Sequence, residues 1–319
     1  MEYRNLGNSG LRVSLVGMGC NNLGRQVDAA GTVALVNQCL ELGVNFFDCA
    51  DMYGNLGLAE QYLGAAVKPH RREVIVATKV GASMRPGVTE RAGASRRYIP
   101  LAVEACLKRL DTDVIDLLQV HFPDPHTPIE ETLRALDDLI AAGKVRYIGC
   151  CNYSAVEVVE AAWTAKTNHF ASFISAQNRH NVIECRIPAD LAAACARHGL
   201  GFLPYYPLAA GLLTGKYRAG EPAAPGTRLS VPSKYYDGLL CAENFARLAK
   251  LEAFARERNR SILELALGWL ATQNIVASII CGATKPEQIV ANVRSAGWRL
   301  TPQEMEQIDA AFEVRQAVA

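Results

Sequence analysis

The stretch Val44-Asn45-Phe46-Phe47-Asp48-Cys49-Ala50-Asp51-Met52-Tyr53-Gly54 begins as an apolar run and ends in polar residues. A short run of this kind reads as a strand covered on both faces, as in a parallel sheet flanked by helices. Asp48 sits where the run stops, and Tyr53-Gly54 follows in the next loop. A carboxylate at a strand end and a phenol just beyond it can reach one pocket. The same unit, an apolar strand running into a polar end and then a helix, recurs along the chain. Strands are predicted at residues 13–19, 44–48, 73–79, 115–121, 145–151, 173–177, 201–207 and 277–282.

Helices are predicted between them. Thr127-Pro128-Ile129-Glu130 reads as a capping box with proline at the first helical position. The stripe Ile129, Leu133, Leu136, Leu139 and Ile140 follows at helical spacing, and Gly143 ends the helix. The Ser/Thr-x-x-Glu/Gln signature recurs at Ser154-Ala155-Val156-Glu157 and Ser261-Ile262-Leu263-Glu264. It returns at Thr284-Lys285-Pro286-Glu287 and, before a final helix, at Thr301-Pro302-Gln303-Glu304. Leu107 and Leu110 close a helix ahead of Asp111. At the start, Gly7-Asn8-Ser9-Gly10 makes a turn between short strand-like pieces, a β-hairpin.

Eight successive βα units argue for an α/β fold of the (β/α)8 TIM-barrel type, with the N-terminal β-hairpin and extra C-terminal helices, as one domain over residues 1–319. The rival is a doubly wound open sheet. Its glycine-rich first turn is absent, because Gly17-Met18-Gly19-Cys20-Asn21-Asn22 carries Asn22 at the third glycine position. Two long connections, residues 81–95 with Arg85, Arg91, Arg96 and Arg97 and residues 209–242, are expected to be lids or specificity walls at the mouth.

Composition narrows the function classes. A net charge of +1 over 319 residues gives no electrostatic case for nucleic acid or an anionic membrane. Met1-Glu2-Tyr3-Arg4-Asn5 lacks an apolar signal core, and no stretch approaches about 20 apolar residues, which points to the cytoplasm. The ten cysteines include no C-x-x-C pair and fit free thiols in a reducing compartment.

Asp48, Lys79 and His121 each end an apolar strand, and Tyr53 lies just past one. Adjacent barrel strands bring their C-terminal ends to one rim. A protonated Lys79 beside the Tyr53 oxygen would lower the tyrosine pKa from its usual value of about 10. Asp48 would keep Lys79 charged, and His121 would donate a hydrogen bond to a carbonyl oxygen. The alternatives are a structural Asp48–Lys79 ion pair with amphipathic rim residues, and a metal site. For a metal, the prolines in His121-Phe122-Pro123-Asp124-Pro125-His126 prevent a regular helical pair of ligands.

The chain resembles the aldo-keto reductase superfamily over essentially its whole length. The resemblance rests on Phe47-Asp48-Cys49-Ala50-Asp51-Met52-Tyr53-Gly54, Ala77-Thr78-Lys79, Asp116-Leu117-Leu118-Gln119-Val120-His121 and Gly143-Lys144-Val145-Arg146-Tyr147-Ile148-Gly149. It continues through Pro207-Leu208-Ala209-Ala210-Gly211-Leu212-Leu213-Thr214-Gly215-Lys216 and Gly282-Ala283-Thr284-Lys285-Pro286-Glu287-Gln288. The pattern looks most like the bacterial and potassium-channel-β-subunit-like branches. The resemblance implies an NADPH-dependent reductase of aldehydes or ketones, with Asp48, Tyr53, Lys79 and His121 as its tetrad and Tyr53 as proton donor. It also implies cofactor contacts from Gly19, Asn21, Asp48, Cys151, Asn152 and Gln177, with Tyr205 beneath the nicotinamide ring. Tyr206, Pro207, Leu208, Ala209, Lys216 and Arg228 would follow the pyrophosphate. Gly282, Thr284, Lys285, Gln288 and Asn292 would hold the adenosine end. Free backbone N–H groups at the Thr284 helix start, with Lys285 beside them, suit a 2′-phosphate, hence NADPH over NADH. Cys151 and Tyr206 stand where many relatives have serine, and Ala291 where some have an acidic residue. The implied partner is a small carbonyl compound, and a monomer is the default assembly. A nicotinamide-sensing regulatory subunit with slow turnover is the alternative function.

Overall fold

Side-chain alternation along the strands sorts this protein into an inside and an outside. The computed structural model describes residues 1–82, 93–183, 186–231, 236 and 238–311. The chain opens with an antiparallel hairpin, β1 (Tyr3–Asn5) and β2 (Arg12–Ser14). Among the described residues, eight parallel strands then form one sheet. They are β3 (Val16–Gly19), β4 (Phe46–Asp48), β5 (Ile75–Val80), β6 (Ile115–Val120), β7 (Val145–Cys151), β8 (Ser175–Gln177), β9 (Gly201–Phe202) and β10 (Ile279–Gly282). The spatial order is β10-β3-β4-β5-β6-β7-β8-β9. The two ends of that order meet, since Ala277 N donates to Phe202 O (2.9 Å) and Ile280 N to Pro204 O (3.0 Å). A (β/α)8 barrel results.

The helices are α1 (Ala29–Glu41), α2 (Tyr53–Val67), α3 (Tyr98–Leu110), α4 (Ile129–Ala141), α5 (Ala155–Asn168) and α6 (Ala189–His198). Then come α7 (Ala242–Arg256), α8 (Ile262–Thr272), α9 (Pro286–Ser295) and α10 (Pro302–Ala311). Of the two beyond the barrel repeat, α10 follows the last unit, while α7 is inserted between β9 and α8. No helix among the described residues is long and apolar enough to cross a membrane.

Several local expectations hold and others shift. Ser154 and Ser261 form reciprocal capping boxes with Glu157 and Glu264. Thr301 and Glu304 also exchange bonds across the start of α10. The Thr127 box does not form. Asp124 draws Thr127 into its own turn, accepting from Thr127 Oγ1 at 2.6 Å, and Pro128 becomes the cap. The first predicted strand splits at its start because Asn45 intervenes. Its side chain accepts from Ser14 N (2.7 Å) and donates to Arg12 O (3.1 Å), which keeps Val13 in the hairpin. The strand predicted at 201–207 is short because Pro204 and Pro207 have no N–H for the ladder.

Two cores follow from the pleat. Phe46, Ala77, Leu117, Leu203, Ala277 and Ile280 form a cluster with the hairpin's Leu6 and Val13, which places the hairpin as a plug in the barrel floor. Their sequence neighbours Phe47, Val76 and Leu118 belong to the second cluster, against the helices. Arg4 fastens the plug, donating to Val276 O and Ala271 O, each at 2.6 Å. The floor is apolar, so the inward polar residues gather at the opposite mouth.

Candidate active site

Two residues beyond the apolar layer, the same inward faces carry Asp48 on β4, Lys79 on β5 and Gln119 on β6. All three are buried, Lys79 and Gln119 completely. Lys79 Nζ donates to Asp48 Oδ2 at 2.6 Å and to Cys49 O at 3.0 Å. Asp48 Oδ1 accepts from Gln119 Nε2 and from Gln177 Nε2, both at 3.0 Å. Burial works against the Lys79 charge, but the Asp48 carboxylate, with smaller contributions from Tyr53 and Cys151, holds the ammonium above the ordinary lysine range.

Tyr53 begins α2, and its half-buried ring has Lys79 Nζ 5.3 Å from its centroid. Burial pushes the phenol above its usual pKa, and the Lys79 charge opposes that push without overcoming it. The expectation of a lowered tyrosine pKa is thus corrected. The ammonium acts in the expected sense, but desolvation is larger. His121 stands edge-on to Tyr53, with ring centroids 6.0 Å apart, and stacks on the exposed Phe122 at 4.7 Å. Burial, then Lys79, lowers His121 to about 3, so its imidazole is neutral. Its Nδ1 is buried with no hydrogen-bond partner among the described residues.

The predicted nicotinamide residues form one chain of contacts. The Tyr205 hydroxyl donates to Asn152 Oδ1 (2.6 Å), and Asn152 Nδ2 donates to His121 O (3.0 Å) and Cys151 Sγ (3.3 Å). Cys151 Sγ meets Gln177 Oε1 at 3.8 Å, a long contact that leaves this acceptor weakly engaged. Gly19 lies at the end of β3, where a Cβ would come 3.1 Å from Ile280 Cγ2. An aromatic ring held by Asn152 and a weakly used amide acceptor fit a nicotinamide carboxamide.

The segment after β9 crosses the mouth. Arg228 Nη2 donates to Asn22 Oδ1 (2.7 Å) and Asn21 Oδ1 (3.3 Å), tying this segment to the loop after β3. The guanidinium lies 5.8 Å from the Tyr206 ring and 6.0 Å from the Tyr236 ring. Pro207 and Ala209 are buried and Leu208 half-buried, while Lys216 is exposed over Tyr217. Gly282 ends β10. Lys285 is exposed and Asn292 buried on α9. The α9 start differs from expectation. Gln288 Oε1 already accepts from Thr284 N (2.7 Å) and Lys285 N (3.3 Å), so these N–H groups are not free for an anion. A phosphate there would displace the Gln288 amide. A cavity of about 390 Å³, away from the tetrad, adjoins Thr284 and is also lined by Arg25, Gln26, Asp28 and Tyr62.

Arg85 and Arg91 lie outside the described residues. Arg96 points to the α4 surface, 3.9 Å from Asp138. The described cysteines are all free thiols, buried except for Cys241.

Two features escaped sequence reading. Gln119 is one, although its place two residues before His121 put it on the same strand face. The other is a buried charge cluster behind the tetrad. Arg109 Nε donates to Glu60 Oε2 at 2.6 Å. Neither carboxylate oxygen of Asp51 has a partner among the described residues, and burial and Glu60 push this carboxyl up to about 8.

Asp48, Lys79, Tyr53 and His121 thus converge at the C-terminal ends of the barrel strands. The sequence profile of the aldo/keto reductase family matches residues 15–313, and the chain belongs to that family. It is 35% identical to a probable voltage-gated potassium channel subunit beta of Oryza sativa subsp. japonica, over 98% of this chain and 97% of the relative. It is 31% identical to an L-glyceraldehyde 3-phosphate reductase of Escherichia coli (strain K12), over 97% of this chain and 92% of the relative. An uncharacterized oxidoreductase of Bacillus subtilis (strain 168) is 31% identical over 92% of this chain and 91% of its own length.

Proposed function

We propose that this protein is an NADPH-dependent carbonyl reductase that converts small aldehydes or ketones to alcohols. The observation that carries the reading is the gathering of Lys79, Asp48, Tyr53 and His121 around one mouth, with Lys79 Nζ 2.6 Å from Asp48 and 5.3 Å from the Tyr53 ring. A bound nicotinamide would supply the hydride. Tyr53 gives its hydroxyl proton to the carbonyl oxygen as that oxygen becomes an alkoxide. A phenol held above its ordinary pKa keeps its proton until so strong a base develops, which suits the reductive direction. The Lys79 ammonium then stabilises the phenolate left behind, and Asp48 holds the ammonium in place. His121, neutral, offers one N–H to the carbonyl oxygen and so orients it. Tyr205, Asn152 and Gln177 would hold the nicotinamide. Lys285, Arg228 and Lys216 are the cationic side chains that favour a phosphorylated cofactor.

The test is NADPH oxidation with a panel of aldehydes, repeated with NADH. Tyr53→Phe should lower kcat by about 10²-fold or more, the usual worth of a positioned acid. Equal rates in parent and variant would remove Tyr53 from the mechanism.

The likeness to a probable potassium channel subunit beta favours a second reading, a regulatory subunit that reports nicotinamide redox state to a partner. Very slow turnover, cofactor retained through gel filtration, and a stable complex with a partner protein would select it over the enzyme.

A further inference from the structure

The tetrad leaves a buried polar side chain in direct contact with it without a role. Gln119 is fully buried on β6, in register with Lys79 on β5. Its Nε2 donates to Asp48 Oδ1 at 3.0 Å, the oxygen that also takes Gln177 Nε2, while Oδ2 meets Lys79. Gln119 Oε1 has no partner among the described residues, nor does the buried Ser175 Oγ. A buried amide oxygen without a hydrogen bond costs stability. The one hydrogen bond that offsets this cost is the N–H to Asp48.

The two glutamines that share Asp48 Oδ1 are not equivalent. Gln177 ends β8 and offers its Oε1 toward Cys151 and the nicotinamide residues. Gln119 pairs with Gly149, two residues nearer the floor on β7 than Cys151, the partner of Gln177. If Gln177 adjusts as cofactor enters or leaves, Asp48 Oδ1 retains a donor through Gln119.

We propose that Gln119 is a positioning residue. It fixes the Asp48 carboxylate so that Oδ2 faces Lys79, and thereby holds the ammonium beside Tyr53 independently of the state of Gln177. The proposal rests on the carbonyl-reductase reading for its kinetic consequence but not for its geometry. Donation by an amide is independent of pH, whereas a carboxyl in the same place donates only when protonated.

Two variants test this. Gln119→Met removes the donor at similar volume. With saturating NADPH and one aldehyde, kcat should fall about tenfold, while the NADPH dissociation constant, read by fluorescence titration, stays within about twofold because the one hydrogen bond of Gln119 goes to Asp48 and not to Tyr205, Asn152 or Gln177. Gln119→Glu should regain activity as pH falls, when the introduced carboxyl becomes a donor to Asp48. Unchanged kcat in Gln119→Met, or a Gln119→Glu pH profile superimposable on the parent's, would overturn the proposal. A crystal structure of ligand-free Gln119→Met gives a readout apart from turnover. An Asp48 carboxylate that has rotated away and no longer accepts from Lys79 supports the role, and an unmoved Asp48–Lys79 pair overturns it. If the parent reduces no carbonyl compound, the reductase reading fails, and the crystallographic arm still decides the position of Asp48.

Discussion

Two buried ionisable groups, His121 in the tetrad and Asp51 behind it, carry opposite pH signatures. His121 is lowered to about 3, whereas an unfolded histidine titrates near 6.5. The unfolded chain therefore gains a proton that the folded protein refuses as pH falls through that window. Stability present above about 6.5 is lost toward 3. Asp51 runs the other way. At about 8 in the fold against about 3.9 unfolded, it keeps a proton that the unfolded chain releases, so stability drains as pH rises from about 4 to 8. Asp51→Asn should raise the urea midpoint at about pH 8 and leave it near the parent's at about pH 4. His121→Gln should flatten the acid limb instead. Each slope is at most about 1.4 kcal/mol per pH unit. Parallel midpoint-versus-pH curves for parent and variants would contradict both assignments.

At the scale of elements, the segment between Tyr53 and the body of α2 carries the longest run of left-handed residues among those described. Gly54, Asn55, Leu56 and Gly57 all take left-handed angles, with φ of 63°, 59°, 68° and 108°. Left-handed non-glycine residues persist only where their surroundings over-determine them. At Gly57 an added Cβ would lie 2.4 Å from Arg109 Cδ and 2.5 Å from Arg109 Nε, the atom that bonds Glu60. Gly57→Ala should therefore cost about 2–4 kcal/mol by denaturation, through backbone strain and a disturbed buried ion pair. It should also lower kcat, since Tyr53 is anchored at the same turn. The ordinary helix starts are simpler. Ser154, Ser261 and Thr301 were readable because a cap and its partner lie three residues apart. Thr127 misled because Asp124, also three residues away, competes for its hydroxyl. Thr284 misled by one position, because Gln288 rather than Glu287 reaches back to the helix start.

At the scale of the molecule, the hairpin closes the floor and leaves the mouth for chemistry. Leu6, fully buried in the inner cluster, is far from the tetrad in the strand direction. Leu6→Ala should cost about 2–5 kcal/mol in unfolding free energy while the KM for the carbonyl substrate stays near the parent's. A large KM change without loss of stability would show that the plug is coupled to the mouth.

The chain order alone determined the parallel strands and, through the barrel they imply, the meeting of Asp48, Tyr53, Lys79 and His121 at one rim. Those follow from short apolar runs, helical periodicity and the order of the βα units, which the chain carries by itself. Tertiary structure decided the rest. Gln119 and Gln177 reach Asp48 across 71 and 129 residues of chain, and Arg109 reaches Glu60 across 49. It also decided the balance at Tyr53, because the desolvation that outweighs Lys79 is produced by everything packed around the ring. Separations of that length carry no local signature, and their pairings exist only once the barrel has closed.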